Sequence, residues 1–247
     1  MRYLILSDIH ANWEALQAVA EAASSDGYDE ILCCGDIVGY GADPNPCVDW
    51  VRRNAKITVR GNHDKVAVGL EDLEWFNPAA QASAQWTSEA LSAENQAWLQ
   101  ALPRGPIPVT DFQILHGSPA DEDEYVIQLA EAAVAGPYLD TRVSFFGHTH
   151  IQGGFLYQRG VPRRIQPVGA GKDRLEYELD PDLFYLINPG SIGQPRDRDP
   201  RAAWAIYIPE ARLVIYRRTT YDVRSAQHKI IAARLPNILA HRLAAGR

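Results

Sequence analysis

Side chains that can bind metal ions occur in five short motifs, and each motif directly follows an apolar run. The motifs are Asp8-x-His10, Gly35-Asp36, Gly61-Asn62-His63-Asp64, His116-Gly117 and Gly147-His148-Thr149-His150. Five of the seven histidines lie in these motifs. Carboxylate, amide and imidazole groups without cysteine are typical ligands of divalent manganese, iron, cobalt, nickel or zinc. The motifs therefore indicate a metal centre rather than a thiolate structural zinc site.

Each motif alone also has an ordinary structural explanation. Asp8-x-His10 could be a solvated loop, Gly35-Asp36 a turn, and a single histidine a hydrogen-bonded core side chain. The whole set is harder to explain in this way, because burying many titratable groups costs free energy unless metal ions or hydrogen bonds satisfy them. One ion cannot use seven side chains, whereas two ions that share a carboxylate can. Such a pair stabilises the attacking and leaving oxygens of a displacement at phosphorus.

The apolar runs before the motifs predict strands whose carboxyl ends carry the metal-binding groups to one edge of a sheet. The predicted strands are 3–6, 30–34, 55–59, 112–115 and 143–146. Residues i and i+2 of an extended backbone share a face, so Asp8 and His10 are expected to point at one spot. Asn12 can cap a helix that begins near Trp13. This strand–helix–strand order predicts parallel pairing of the first two strands.

The remainder of the chain shows two other patterns. Residues 66–104 are predicted to be largely helical and contain Trp75, Trp86 and Trp98, either as a cap over the sheet edge or as core-filling side chains. Beyond residue 150 the pattern changes to antiparallel strands. These strands are predicted at 154–158, 163–168, 175–179 and 184–187, followed by a hairpin over 203–216 and a basic helical stretch over 223–243 that is interrupted at Pro236.

The bulk composition restricts the class of protein. The formal net charge of −7 over 247 residues disfavours stable nucleic-acid binding, although bound metal ions could still attract an anionic substrate. The three cysteines include the adjacent Cys33 and Cys34, which are expected to be core thiols in a reducing compartment. No run approaches the roughly 18 apolar residues of a membrane span, and no signal-peptide segment is apparent. We expect a cytoplasmic protein without membrane association.

The order of the five motifs resembles that of the calcineurin-like metallophosphoesterases. The resemblance covers residues 3–150 by motif and extends less specifically to 188–196, which is similar to a segment of the small bacterial and archaeal branch. It implies an α/β fold with a central mixed β-sandwich flanked by helices in four layers (α-β-β-α). Residues 1–247 are expected to form a single domain, with a helical insertion or cap at about 66–104.

Transferred residue by residue, the resemblance implies two divalent ions, manganese or iron, with zinc, nickel and cobalt as alternatives. One ion would be held by Asp8, His10, Asp36 and His150. The second would be held by Asp36, Asn62, His116 and His148. Asp36 would bridge the two ions together with a water or hydroxide, and His63 would donate a proton to the leaving group. Every ligand position is filled, which argues against an inactive member.

One motif departs from part of the family. The Ser/Thr protein phosphatases and the symmetrical dinucleoside-tetraphosphate hydrolases carry Gly-Asp-x-x-Asp-Arg-Gly at the second motif. Residues 35–41 read Gly-Asp-Ile-Val-Gly-Tyr-Gly here, so the second aspartate and the arginine are missing. In those enzymes this aspartate orients the catalytic histidine; Asp64 and Asp43 are the candidates to orient His63. The departure favours a hydrolase of small substrates over a protein phosphatase.

Several residues are candidate substrate contacts. Arg196 and the backbone from Gly190 to Gly193 could bind a second anionic group, because glycine-rich turns can present N–H groups to an anion; a plain turn is the alternative. Aromatic side chains could stack a base or could simply pack in the core. The aromatic candidates are Tyr40, Trp75, Phe76 and Trp86.

The predicted function is hydrolysis of a phosphodiester, nucleotide or phosphoanhydride by attack of a metal-bridging hydroxide. Asymmetrical cleavage of diadenosine tetraphosphate is one candidate reaction. The alternatives are a phosphomonoesterase or protein phosphatase, and a non-catalytic scaffold that binds a nucleotide or partner in a metal-dependent way. The expected partner is a small phosphate ester or nucleotide. Formation of a homo-oligomer stays an open alternative, and the tryptophan-rich segment 66–104 is the candidate contact surface.

Overall fold

Twelve strands, arranged in two mixed sheets, make up the centre of the fold. The structure is a computed structural model that describes the backbone of residues 1–247 and every side chain except that of Trp75. The strands are β1 Tyr3–Leu6, β2 Glu30–Cys33, β3 Ala55–Thr58, β4 Ile107–Pro108, β5 Phe112–Ile114, β6 Val143–Phe145, β7 Gly153–Gln158, β8 Val161–Ile165, β9 Arg174–Glu178, β10 Phe184–Asn188, β11 Ala202–Ile208 and β12 Leu213–Thr219.

The two sheets contain six strands each. The first has the order β3-β2-β1-β11-β12-β9, and the second has the order β4-β5-β6-β10-β7-β8. Strands β1, β2 and β3 are parallel, as predicted, and so are β5, β6 and β10, whereas the other pairs are antiparallel. The motif-bearing strands are therefore divided between two sheets, and the expectation that one sheet carries all of them is wrong.

Eight α-helices cover the outer faces and one end of the two sheets. They are α1 Trp13–Asp26, α2 Pro44–Asn54, α3 Asn62–Ala67, α4 Pro78–Ala90, α5 Ala93–Gln100, α6 Leu129–Ala135, α7 Val223–Ala232 and α8 Asn237–Ala245. The Asn12 side chain caps α1 by accepting a hydrogen bond from the Ala15 N–H. Helix α6 begins at Leu129, and the Glu131 carboxylate in its first turn accepts hydrogen bonds from the N–H groups of Ile127 and Gln128.

The sheets pack face to face through alternate side chains of their strands. Ile5 of β1 and Phe145 of β6 are both fully buried in the core between the sheets, and Tyr3 contacts Phe112 edge-to-face at 5.0 Å. On the opposite face of the first sheet, Leu4 packs with Leu16 of α1. Burying both faces of both sheets provides the apolar area that stabilises the predicted four-layer α-β-β-α arrangement.

The tryptophan-rich segment is helical, and its described tryptophans pack against the rest of the chain. Trp98 lies against the core of the first sheet, and Trp86 lies against a cluster that includes helices α7 and α8. Both side chains thus serve packing, which was one of the two expectations for them. The side chain of Trp75 lies outside the described residues. Over the part of the chain that is described, none of the helices has the length and apolar character required to cross a bilayer.

Candidate active site

Left-handed backbone turns follow the strands that carry the motifs. The φ angles are +51° at Asp8, +49° at His10, +54° at Asp36, +65° at His148 and +60° at His150. Residues other than glycine adopt this region rarely and at a cost in free energy, and such residues cluster at functional sites. Asp8 and His10 do converge on one spot, but the expected extended geometry is wrong. Sharp backbone turns, rather than the alternation of side chains along a strand, direct these two side chains toward the same point.

Four buried side chains from three motif regions form a first group of candidate metal ligands. Asp8, His10, Asp36 and His150 each offer a ligand atom, and these atoms all lie within 4.8 Å of one another. Nε2 of His10 lies 3.0 Å from Nε2 of His150, and Nε2 of His150 lies 3.5 Å from Oδ1 of Asp8. This is the set that the sequence resemblance implies for the first ion.

A second group shares one member with the first. Asp36, His116 and His148 also offer atoms within 4.8 Å of one another, and Oδ1 of Asn62 lies 3.2 Å from Nε2 of His116. Oδ2 of Asp36 is 3.6 Å from Nε2 of His10 and 3.4 Å from Nε2 of His116. A single carboxylate oxygen therefore lies between the two groups, where it could contact two ions at once.

Backbone carbonyl groups fix the tautomer of all four histidines in the two groups. Carbonyl oxygens only accept hydrogen bonds, so the ring nitrogen that faces each one carries a proton and the other ring nitrogen faces inward, where it can bind a metal ion once it is deprotonated. The four contacts are His10 Nδ1 to Val38 O at 3.0 Å, His150 Nδ1 to Gln194 O at 2.6 Å, His116 Nδ1 to Cys34 O at 2.7 Å and His148 Nε2 to Asp123 O at 3.0 Å.

The protonation of the site is governed by burial and by the Asp36 carboxylate. Burial lowers the pKa values of His10, His148 and His150 well below the usual range, so these rings are neutral. Burial alone would also lower the pKa of His116, but the Asp36 carboxylate raises it to about 10. Burial raises the pKa of Asp8 to about 7. A cation that binds here must displace the proton shared by Asp36 and His116.

These residues fit two divalent cations. Oδ2 of Asp8 is buried and has no hydrogen-bond partner among the described residues. The lone pairs of His10 Nε2 and His150 Nε2 face each other at 3.0 Å, which is unfavourable unless a proton or a cation lies between them. The donors are nitrogen and oxygen atoms without thiolate, which suits manganese, iron, zinc or related ions.

His63 is the second residue of α3 and lies beside the shared carboxylate, because its backbone N–H donates to Oδ1 of Asp36 at 2.9 Å. Its ring packs between Tyr40 and Phe76, with centroid distances of 4.3 and 4.6 Å. Burial lowers its pKa to about 4. Nδ1 of His63 is buried and has no hydrogen-bond partner among the described residues.

Neither aspartate suggested to orient His63 contacts its ring. The Asp64 carboxylate accepts hydrogen bonds from the N–H groups of Ile37, Val38 and Gly61, so it holds the two motif loops together instead. The Asp43 carboxylate pairs with Lys229 of helix α7 at 2.7 Å. Aromatic packing, and not a carboxylate, therefore fixes the orientation of His63.

Gly39 makes room for the His63 ring, whose orientation is fixed by the Tyr40 and Phe76 rings rather than by the missing aspartate. A Cβ atom at this position would overlap with Nδ1 of His63, and its φ angle of +88° disfavours other residues. Gly39 and Tyr40 occupy the positions at which the protein phosphatases carry Asp and Arg. The glycine lets the backbone approach the His63 ring, while Tyr40 lies against the ring face.

Arg196 lies over the first group of ligands. Its guanidinium donates to the Tyr40 hydroxyl at 3.2 Å and also interacts with the hydroxyl of Tyr125. Tyr40 thus supports the Arg196 guanidinium, and the anion contact of Arg196 stays a prediction. The N–H of Gly190, by contrast, donates to Oδ1 of Asn188 at 2.8 Å, and the N–H of Gly193 donates to the Asp8 carbonyl. These internal bonds favour the alternative explanation, a structural turn, for Gly190.

Sequence reasoning missed the loop formed by residues 121–125, which supports His148. The Asp123 carbonyl accepts the His148 Nε2–H, and the Tyr125 ring stacks on the His148 ring at 3.7 Å. The run of four acidic residues was the available signal, because such a run needs cationic partners. Lys65 supplies one: its buried ammonium lies 2.5 Å from Asp123 and 3.4 Å from Glu122.

Replacing Lys65 with methionine is expected to weaken the second metal site by about 10–100-fold, because the loop that orients His148 loses its anchor. Calorimetric titration with Mn²⁺ measures the affinity of each site. Lys65→Arg should restore most of the loss, and Lys56→Met should have no effect, because Lys56 is an exposed lysine paired with Glu30. Unchanged affinity of both sites in Lys65→Met would show that the ion pair does not position the loop.

Comparison with known proteins agrees with this geometry. The sequence model described as the calcineurin-like phosphoesterase superfamily domain matches residues 1–208. The chain belongs to this superfamily. The chain is 38% identical to a metallophosphoesterase from Sphaerobacter thermophilus whose crystal structure superposes with a TM-score of 0.87, covering 100% of this chain and 99% of that chain.

Two sequence relatives extend the comparison. The chain is 34% identical to an uncharacterized protein of Methanocaldococcus jannaschii over 98% of this chain and 97% of the relative. It is 27% identical to a symmetrical bis(5'-nucleosyl)-tetraphosphatase of Glaesserella parasuis over 60% of this chain and 58% of the relative. The superfamily uses a dinuclear metal site, and this chain has the buried Asp and His groups that could hold one.

Proposed function

We propose that the protein is a metal-dependent phosphodiesterase that acts on small phosphate esters or nucleotides. The observation that carries the proposal is the single oxygen of Asp36 between two buried ligand groups, with His63 directly beside it. Two divalent ions in these groups, with manganese as the first candidate, would neutralise charge on the phosphoryl oxygens and lower the pKa of a water that they share.

The chain's own residues then have separate tasks. Arg196 attracts and orients the anionic phosphoryl group. Hydrolysis joins a water oxygen to phosphorus and breaks the bond from phosphorus to the leaving oxygen, which takes up a proton. We assign this proton to Nε2 of His63, because Nδ1 faces the Gly39 backbone. The negative charge of a bound phosphoryl group favours the protonated ring and so offsets the low pKa of His63.

A direct test is hydrolysis of bis-p-nitrophenyl phosphate. After treatment with EDTA and its removal, the protein is expected to have no activity, and added Mn²⁺, Co²⁺ or Ni²⁺ should restore it. Bound metal should also raise the melting temperature, because a ligand that binds only the folded state stabilises it. Full activity of the metal-free protein would contradict the proposal. Tight metal binding without hydrolysis would instead favour the non-catalytic scaffold.

Hydrolysis of a dinucleoside polyphosphate is the second candidate function. The similarity to the tetraphosphatase of Glaesserella parasuis favours it, although the Asp-Arg pair of the symmetrical hydrolases is replaced by Gly39 and Tyr40. Chromatography of the products from diadenosine tetraphosphate distinguishes the cases. ATP with AMP would indicate asymmetrical cleavage, and two ADP would indicate symmetrical cleavage.

A further inference from the structure

A cavity of about 340 Å³ opens beside the second group of candidate ligands. Its described lining consists of Asn62, Glu71, Asp72, Phe76, Asp123, Tyr125 and His148. Asn62 and His148 belong to the candidate metal centre, so a group in the cavity lies next to the reacting phosphoryl group. The cavity is therefore placed to receive one of the two substituents of a phosphodiester.

Two aromatic side chains line this cavity and indicate both the kind of ligand that it favours and its position relative to His63. The Phe76 ring packs on the ring of His63 at 4.6 Å, and the Tyr125 ring stacks on that of His148 at 3.7 Å. Aromatic faces of this kind favour a planar ligand. Because Phe76 contacts the candidate proton donor, the cavity lies on the side from which the leaving group departs.

The charged side chains in the described lining of this cavity are carboxylates. Its described lining contains three of them and no cationic side chain. Glu71 and Asp123 are paired with Lys65 at 2.8 and 2.5 Å, whereas Asp72 is exposed and has no ionic partner among the described residues. Carboxylates accept hydrogen bonds from N–H groups and repel phosphate oxygens.

We infer that this cavity binds the leaving group and selects one that is planar, carries an amino group that can donate to a carboxylate and is free of further phosphates, such as an adenine nucleoside. The inference rests on the proposed phosphodiesterase function. The favoured reaction breaks the bond from phosphorus to a nucleoside hydroxyl oxygen, which takes a proton from His63 while the water oxygen bonds to phosphorus. A leaving ATP or ADP would instead bring its negative charges against the carboxylate of Asp72, which has no ionic partner among the described residues.

Two substrates with the same base test this selectivity. The wild-type protein is expected to have a kcat/KM for adenylyl-adenosine, which releases adenosine, at least tenfold above that for diadenosine tetraphosphate. Asp72→Lys should shift this ratio about tenfold toward the tetraphosphate, because the cavity loses repulsion and gains attraction. Asp140→Lys makes the same charge change before β6, at the opposite end of that strand from His148, and should leave the ratio unchanged.

Binding gives a readout that does not depend on turnover. Saturation-transfer NMR of the metal-free protein should show adenosine binding more tightly than ADP, and Tyr125→Ala should weaken adenosine binding several-fold. A wild-type preference for the tetraphosphate, or a ratio that Asp72→Lys leaves unchanged, would overturn this inference while hydrolysis of bis-p-nitrophenyl phosphate still supported the proposed function. Loss of hydrolysis on every phosphodiester would overturn both.

Discussion

Asp36→Asn is expected to lower phosphodiester hydrolysis by at least about 10³-fold, which exceeds the typical effect of losing one neutral hydrogen-bond donor. One oxygen of this carboxylate lies within 3.6 Å of His10 and His116, so the substitution removes a negative ligand from both groups at once. The amide that replaces it is neutral, and two divalent ions at close range would repel each other without the shared charge. Steady-state kinetics and metal analysis of the purified variant measure both effects.

A matched control separates metal loss from general destabilisation. Asp199→Asn removes a part-buried carboxylate that pairs with Arg201 outside the candidate centre, and it should retain activity and both ions. Asp36→Asn should keep the far-ultraviolet circular dichroism spectrum of the wild type while binding fewer than two ions. A folded Asp36→Asn protein that bound two ions with wild-type affinity would disprove the shared-carboxylate assignment.

His63→Ala is expected to lower kcat by about 10²–10⁴-fold, the range for a positioned general acid, while both ions stay bound. His63 is not within either ligand group, and its ring is instead held by Tyr40 and Phe76. The loss should be larger for an alkyl leaving group than for p-nitrophenolate, because the nitrophenolate anion departs readily without a proton. Comparing kcat for the two ester types measures this difference.

The exposed His228 on helix α7 provides the control for this prediction. His228→Ala should leave kcat unchanged for both ester types. If His63→Ala lost equal activity toward alkyl and nitrophenyl esters, proton donation would not be its role. If it lost metal, His63 would instead contribute to holding the ions.

The ligand set was accessible from sequence because each member directly follows a short apolar strand. Five such strands ending in Asp, Asn or His have few explanations besides a shared site, and the structure brings Asp and His side chains from these motifs together in two groups around Asp36. The strand positions also followed from apolar runs bounded by glycine. The pairing of β1 with β11, whose partner residues lie at least 200 positions apart, was not encoded locally, because antiparallel partners of a buried strand share no sequence signal.

Details that depend on backbone turns and on distant side chains escaped sequence reasoning. The positive φ angles of Asp8 and His10 have no signal in the sequence, because neither residue is a glycine. Gly39 was noticed as a missing aspartate, but its contact with the His63 ring depends on how two loops pack. Tyr125 stacks on His148 from an acidic loop that Lys65 of helix α3 anchors. No regular spacing in the sequence indicates that these residues contact one another.

Titration of the metal-free protein with Mn²⁺ tests the central claim most directly. Calorimetry, electron paramagnetic resonance and hydrolysis of bis-p-nitrophenyl phosphate can follow the same titration. We predict that two ions bind per chain, that a spin-coupled pair signal appears with the second ion, and that activity rises with that signal. Full activity with one bound ion, or two bound ions without magnetic coupling, would contradict a dinuclear centre built on Asp36.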